Sequence, residues 1–268
     1  MASASLAMYD FCEPVRQAND ALWRIIRDDL TKAGFSAPSK LDRSSRYDAL
    51  WRREDLVFAQ TCGYPYIKQL RGHVRLVGVP IYRFPGGNGI DRASLVIVRD
   101  ADGIGGIEDL RNRRVAVNDP MSNSGMNLLR ALIAPQAIAG RFFSKVSFTG
   151  GHLMSLADVL AGHADVAAID SVTFGLLAAH SPDALKGVKV LMQTPAGPGL
   201  PIISRKDATD AEVSVVRESL SRIATQPAYA AIREPLGLVG FEVPDQAAYD
   251  ALTELEDFAL RRGYPVIN

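Results

Sequence analysis

The residues with the clearest chemical potential form a short polar turn between a predicted strand at 114–118 and a predicted helix at 125–133. The turn consists of four small residues, Ser122, Asn123, Ser124 and Gly125. Free backbone N–H groups at a helix N-terminus carry partial positive charge, and with serine hydroxyls they can hold phosphate, phosphonate, sulfate or carboxylate. The pattern therefore predicts an anion site, although a turn in which Ser122 or Ser124 only caps the helix is also compatible with it.

The turn matches neither common nucleotide-binding motif. No Gly-Lys-Ser/Thr follows it, and the further glycines of a dinucleotide fingerprint are missing. The sequence also lacks a Gly-x-Ser-x-Gly elbow, a His-Glu-x-x-His and a Cys-x-x-Cys, and none of its four histidines has a nucleophile partner nearby in sequence. We therefore expect no enzyme, no metal site, no nucleotide and no cofactor.

Two further polar residues follow predicted strands in the same half of the chain. His152 comes after a predicted strand at 145–148 and opens a predicted helix, where its ring could donate to a bound anion. Asp170 follows a predicted strand at 166–169, the position at which ligands of open α/β sheets gather. Asp170 could equally cap the next helix, and both alternatives stay open.

The beginning of the chain offers hydroxyl groups at comparable positions. Tyr9 ends a predicted strand at 5–9, and Thr61 and Tyr64 follow a predicted strand at 56–59. These side chains are suited to closing over a small ligand, although ordinary burial would account for them as well. Cys12 and Cys62 lie beside these positions, and whether they pair stays open.

The composition is that of an ordinary globular protein. Of 268 residues, 47% are hydrophobic and 22% are charged, and 30 Lys plus Arg balance 30 Asp plus Glu. No net field attracts nucleic acid or an anionic membrane surface, and no apolar stretch approaches the roughly 20 residues of a membrane span. The residues from Met1 onward lack the pattern of a secretory signal.

Short apolar runs alternate with helical patterns along the chain, which predicts an α/β protein. Turn-forming Gly, Pro and Asp residues occur near Leu95 and near Leu200, and they bracket a middle segment of domain size. We therefore predict a discontinuous first lobe at 1–95 plus 200–268 and a continuous second lobe at 96–199. In this prediction, each lobe is a mostly parallel sheet flanked by helices, and strands at 95–98 and 200–204 both cross between the lobes at the hinge.

Taken together, these residues resemble the phosphate, phosphite and phosphonate substrate-binding proteins of ABC transporters, which have the type II periplasmic-binding fold. The resemblance rests on several segments: 92–99, 107–118, the serine turn at 122–125, Gly150-Gly151-His152, 162–170, and the strand before Arg205. It implies that the turn and His152 hold an oxyanion. Relatives that bind aminoalkyl-phosphonates hold the amine with acidic residues, whereas this chain has Val172 and Gly199 at the approximate positions.

The resulting expectation is a solute-binding protein, not an enzyme, that holds a small oxyanion between its lobes for ABC-type import. Its expected ligand-binding residues are Tyr9, Thr61, Tyr64, Ser122, Asn123, Ser124, Gly125, His152 and Asp170. The resemblance implies a periplasmic monomer with a transporter permease as partner. The alternative is a cytosolic enzyme or sensor on the same fold that acts on a small anionic metabolite.

Overall fold

The computed structural model describes residues 2–268 of the chain. The strands are β1 Ser3–Ser5, β2 Leu56–Gln60, β3 Val74–Tyr82, β4 Gly87–Asn88, β5 Asp91–Arg92, β6 Ser94–Arg99, β7 Arg114–Val117, β8 Lys145–Phe148, β9 Val166–Asp170, β10 Val188–Gln193, β11 Gly197–Pro198, β12 Ile202–Arg205 and β13 Leu238–Glu242. The α-helices are α1 Glu13–Lys32, α2 Tyr47–Leu50, α3 Gly63–Pro65, α4 Leu128–Ile133, α5 His152–Leu160, α6 Ser171–His180, α7 Asp210–Thr225, α8 Ala230–Leu236 and α9 Asp250–Arg261. The expected α/β class is confirmed.

The chain forms two compact units. The first comprises 1–83 and 199–248, and the second comprises 84–198 and 249–268. The predicted division differs from this one chiefly at the C-terminus, which was placed in the first lobe. The C-terminal segment joins the second unit because Arg130 Nη1 donates to the Pro265 carbonyl at 2.8 Å and the Phe142 amide donates to the Asn268 carbonyl at 2.7 Å.

The first unit is built on a five-stranded sheet of order β1-β2-β12-β3-β13. β1 and β2 are parallel, whereas β12 runs antiparallel to both β2 and β3. Helix α1 packs on α7 and α8 through a buried apolar face that includes Trp23, whose ring stacks on Phe58 with 5.6 Å between centroids. Within the described residues, β12 in the middle of this sheet and β13 at its edge run opposite to the other strands, so three of the four pairings are antiparallel.

The second unit has a five-stranded sheet of order β10-β6-β9-β7-β8 and a small sheet of order β11-β5-β4. β9, β7 and β8 are parallel neighbours, and β6 runs antiparallel to β9 and β10. Four of the five strands therefore run in the same direction, as predicted. The reversed strand β6 lies between β10 and the other three. The strands expected to cross between lobes lie within one unit each, β6 in the second and β12 in the first.

Two sequence-based assignments were wrong in detail. The predicted strand at 5–9 ends at Ser5, because the Ser5 hydroxyl accepts a hydrogen bond from the Ala7 amide and the chain turns into a 3₁₀ helix at Ala7–Tyr9. Strand β13 was not predicted, because Gly240 interrupts its apolar pattern. β13 pairs with the second half of β3.

Candidate functional site

Three strand-to-helix connections of the second unit meet at one edge of its sheet. β7 leads into a helical segment that begins at Asn123, β8 leads into α5, and β9 leads into α6. Because these three strands are adjacent and parallel, their carboxyl ends lie at the same edge, and three helix N-termini gather there. Helix N-termini carry partial positive charge, so this edge is electrostatically suited to an anion.

The serine turn is the first of these connections. Ser122 is the N-cap of the helical segment, and its Oγ accepts a hydrogen bond of 3.0 Å from the Gly125 amide. The segment opens with a π-helical turn, Asn123–Asn127, and continues as α4. The hydroxyl of Ser124 does not serve as the cap. The two serines therefore have different roles, and capping by Ser122 leaves the Ser124 hydroxyl for another partner.

The structure places that partner at the second connection, where His152 begins α5. Ser124 Oγ lies 2.8 Å from His152 Nε2, and Ser122 Oγ lies 3.5 Å from Ser124 Oγ. Burial lowers the pKa of His152, and this effect is partly offset by the charge of Asp170 and by the Ala168 carbonyl. The ring is therefore neutral at pH 7 and hydrogen-bonds as a neutral imidazole.

Sequence reasoning missed Asn118, which lies directly after β7. Its Nδ2 is 3.3 Å from His152 Nε2. Its Oδ1 lies only 1.9 Å from the point that a β-carbon at residue 125 would occupy, and His152 Cε1 lies 3.3 Å from the same point. A glycine at 125 is therefore required by the close approach of Asn118 from the same connection and of His152 from the next, which no local pattern could have indicated.

Asp170, at the third connection, caps α6. Its Oδ1 accepts hydrogen bonds of 2.9 Å from the amides of both Val172 and Thr173, and its side chain is buried. Of the two alternatives left open by the sequence, the cap is thus present in the structure. The carboxylate offsets the positive end of this helix, and a ligand contact by Asp170 stays a prediction.

Buried hydrogen bonds hold the serine turn in place. The side chain of Asn127, which is fully buried, donates to Asn123 Oδ1 at 3.1 Å and to the Leu252 carbonyl at 3.0 Å. Ser94 Oγ, at the start of β6, donates to the Ser124 carbonyl at 2.8 Å. These contacts join the turn to the C-terminal helix α9 and to the sheet of the second unit, so the candidate site has a rigid support.

The predicted residues of the first unit lie at one edge of its own sheet, since they follow the parallel neighbours β1 and β2. Tyr9 is buried, and its ring meets Tyr82 edge-on with 5.6 Å between centroids. Thr61 is fully buried, and its amide donates to the Pro201 carbonyl at 3.0 Å. Tyr64 is also buried, with Lys68 Nζ 5.8 Å from its ring centroid. Their contact with a ligand stays a prediction.

Several other expectations concern chemistry outside the anion site. Cys12 and Cys62 are not joined by a disulfide bond. Among residues 2–268, no cluster of three or more His, Cys, Asp or Glu side chains is arranged to hold a metal ion. No helix in the same residues is long and apolar enough to cross a membrane.

The Ser124–His152 pair has the spacing of a nucleophile and its base, a pairing that the sequence did not indicate. Such a base needs a third group that orients the ring through its other nitrogen. In the described part of the chain, no group makes a hydrogen bond of good geometry to His152 Nδ1, which is buried. The pair is therefore suited to hydrogen-bonding a ligand, and the arrangement lacks the orienting residue of a catalytic triad.

The fold and this site define a class of protein, the substrate-binding proteins of ABC transporters with the type II periplasmic-binding fold. The family model described as ABC transporter, phosphonate, periplasmic substrate-binding protein matches residues 48–249. The chain belongs to this family, whose members are binding components of transporters and not enzymes. No curated protein is significantly similar to the chain in sequence.

Solved structures show the same fold at low sequence identity. The binding protein component of an ABC phosphonate transporter from Pseudomonas aeruginosa, PA3383, has 17% identity and a TM-score of 0.74, with 97% of this chain and 87% of that chain covered. PhnD1 from Prochlorococcus marinus, in complex with methylphosphonate, has 14% identity and a TM-score of 0.74, with 98% of each chain covered. XAC2383 from Xanthomonas citri, bound to ATP, has 18% identity and a TM-score of 0.70, with 98% and 97% covered.

Proposed function

We propose that the serine turn of this substrate-binding protein holds the charged head of a small phosphonate or phosphate-like oxyanion. The observation that carries the proposal is the Ser124–His152 pair at the N-terminus of a helix whose cap, Ser122, is neutral. An oxyanion placed there accepts hydrogen bonds from the serine hydroxyl and the backbone amides of the turn, and His152 acts on it through its hydrogen bond with Ser124. Each such charge-assisted bond contributes about 1.5–3 kcal/mol.

In this proposal, Tyr9, Thr61 and Tyr64 also contact the ligand. The three hydroxyls follow parallel strands of the first unit in the way that the serine turn follows β7 in the second, and this supports a role for them in ligand binding. Val172, at the approximate position of an acidic residue in amine-binding relatives, is fully buried. We therefore favour a ligand without an amino group.

The protein delivers its ligand, in this proposal, to the permease of an ABC importer and works in the periplasm as a monomer. The family to which it belongs supports this. Fractionation of the producing cells tests the location: a protein found only in the cytoplasm would favour the alternative of a cytosolic sensor. Light scattering of the purified protein tests the expected monomer.

Titration calorimetry tests the ligand. Methylphosphonate, inorganic phosphate, sulfate, acetate and an aminoalkyl-phosphonate are titrated into the wild-type protein and into Ser124→Ala. We expect binding of one or more of the tetrahedral oxyanions, and a loss of about tenfold or more in Ser124→Ala, since one hydrogen bond of 1.4 kcal/mol is a factor of about ten. Equal affinity of the two proteins for every ligand would disprove the role of the turn.

A further inference from the structure

A single nitrogen of His152 has two polar neighbours in the proposed anion site. Ser124 Oγ lies 2.8 Å from Nε2, and Asn118 Nδ2 lies 3.3 Å from it. A neutral imidazole has one N–H donor and one acceptor nitrogen, so Nε2 either accepts hydrogen bonds from these neighbours or donates one. The position of the ring proton therefore decides whether Ser124 and Asn118 donate to Nε2 or accept from it.

The side-chain amide of Asn118 is held between this nitrogen and the serine turn. Its backbone carbonyl accepts a hydrogen bond of 2.8 Å from the Gly150 amide, which fixes the residue at the end of β7. The outer atom of the amide, Oδ1, is buried against Gly125 and has no hydrogen-bond partner within residues 2–268. The amide is therefore firmly packed, but its Oδ1 makes no hydrogen bond within the described residues.

An amide turned by 180° exchanges oxygen and nitrogen without a change of shape. Because the outer end makes no hydrogen bond, the turn breaks none there. With Nδ2 facing the ring, Asn118 donates to an unprotonated Nε2. With Oδ1 facing the ring, Asn118 accepts from Nε2–H. The two orientations thus correspond to the two tautomers of His152.

The tautomer determines whether the Ser124 hydroxyl can donate a hydrogen bond to an anion. An unprotonated Nε2 accepts the hydroxyl hydrogen of Ser124, which then presents only lone pairs to a negative ligand. A protonated Nε2 cannot accept from Ser124; its single N–H is shared between Asn118 Oδ1 and Ser124 Oγ, and the hydroxyl hydrogen is left for the ligand. An anion is therefore bound better by the tautomer with the proton on Nε2.

We propose that Asn118 is a positioning residue that sets which nitrogen of His152 carries the proton and so prepares Ser124 to donate to the anion. In the free protein, Asn118 Nδ2 donates to Nε2 and the ring proton is on Nδ1. On anion binding, the amide turns, the ring gives up the Nδ1 proton and takes one at Nε2 by exchange with solvent, and its charge is unchanged. The inference about the bound state rests on the proposed function.

The first test uses the free protein and needs no ligand. Nitrogen-15 NMR of the His152 ring, at a pH at which the ring is neutral, reports the tautomer directly. We expect the wild-type proton on Nδ1. Asn118→Asp keeps the size of the side chain and offers only acceptors, so the proton moves to Nε2, whereas Asn118→Leu removes the contribution of Asn118 and leaves that of the Ala168 carbonyl, which also interacts with the ring. The same tautomer in all three proteins would overturn the proposal, and Asn118→Asp alone decides it if Asn118→Leu does not fold.

The second test adds methylphosphonate. In the wild-type protein the ligand moves the ring proton to Nε2, and Asn118→Leu binds about tenfold more weakly at an unchanged melting temperature. Unchanged affinity and an unmoved proton would overturn the role in binding. If the wild-type protein binds none of the oxyanions tested, the proposed function fails, while the tautomers of the free variants still decide what Asn118 does to His152.

Discussion

Two helix N-termini at the same edge of the second unit carry chemically different caps. Ser122 caps the serine-turn helix with a neutral hydroxyl, whereas Asp170 caps α6 with a carboxylate that accepts from two amides. A carboxylate at a helix N-terminus offsets the partial positive charge there, and a hydroxyl leaves it in place. The comparison predicts that the serine turn, and not the Asp170 turn, receives the anion of the proposed function.

Ser122→Asp would make the serine turn resemble the Asp170 turn, and it is the change with the largest expected effect. Aspartate can still accept from the Gly125 amide, but its charge occupies the positive site and repels the ligand. We expect the affinity for the bound oxyanion to fall at least about 100-fold, or about 2.7 kcal/mol, by titration calorimetry. Ser122→Asn, a neutral cap of comparable quality, is the control. Full affinity in Ser122→Asp would mean that the turn only caps the helix.

Gly125→Ala tests the geometry of the turn without a change of charge. A β-carbon at this position would lie 1.9 Å from Asn118 Oδ1, so Asn118 and with it His152 must move. We expect a loss of affinity of about tenfold or more, because the hydrogen bonds to the anion depend on these positions.

Gly151→Ala is the matched control for this change. Gly151 precedes His152 directly, and no atom lies within 4 Å of the point that its β-carbon would occupy. Its φ of −178° is extended backbone, which alanine adopts freely. Equal losses in Gly125→Ala and Gly151→Ala would show that the close approach of Asn118 is unimportant.

The pH dependence of binding reports on His152. Because burial lowers the pKa of this ring, the folded protein resists its protonation, and stability falls as pH drops below about 6.5, where the unfolded chain takes up the proton more readily. A bound anion favours the charged ring. We therefore expect the affinity for sulfate, whose charge is constant in this range, to rise severalfold as pH falls from about 7.5 to 5.5.

His152→Gln, which cannot titrate, is the comparison for the pH series. It should bind sulfate more weakly than the wild-type protein, with a difference that grows at lower pH. Calorimetry at each pH and thermal melts without ligand separate binding from stability. A wild-type affinity that does not vary with pH, or that varies equally in His152→Gln, would contradict the role of the ring.

Asp170→Asn has the smallest expected effect and tests the other half of the comparison. Asparagine caps as well as aspartate, so α6 keeps its cap and loses one negative charge. Removal of this charge from the edge should raise the oxyanion affinity by about twofold to threefold, in line with a helix-terminus effect of 0.3–1 kcal/mol. A clear loss of affinity would instead indicate that Asp170 contacts the ligand, as the sequence analysis allowed.

Much of the fold could be predicted because its signals are local. Strand β8 has the predicted bounds of 145–148, since a short apolar run marks it in the sequence. Strand β13 and the small sheet of the second unit were missed. Two-residue strands and a strand interrupted by glycine have too little periodicity, and they are stabilised only by their partners.

The sequence by itself determined the family, the class of fold and the turn at 122–125, because a strand, a run of small polar residues and a helix are adjacent in the chain. Only the tertiary structure decided how these residues work together. It placed Ser124 against His152, 28 positions away, and Asn118 against Gly125, and it assigned Asp170 to a cap. Hydrogen bonds between separate connections depend on how the strands align in the sheet, and that alignment is set by the packing of the whole unit.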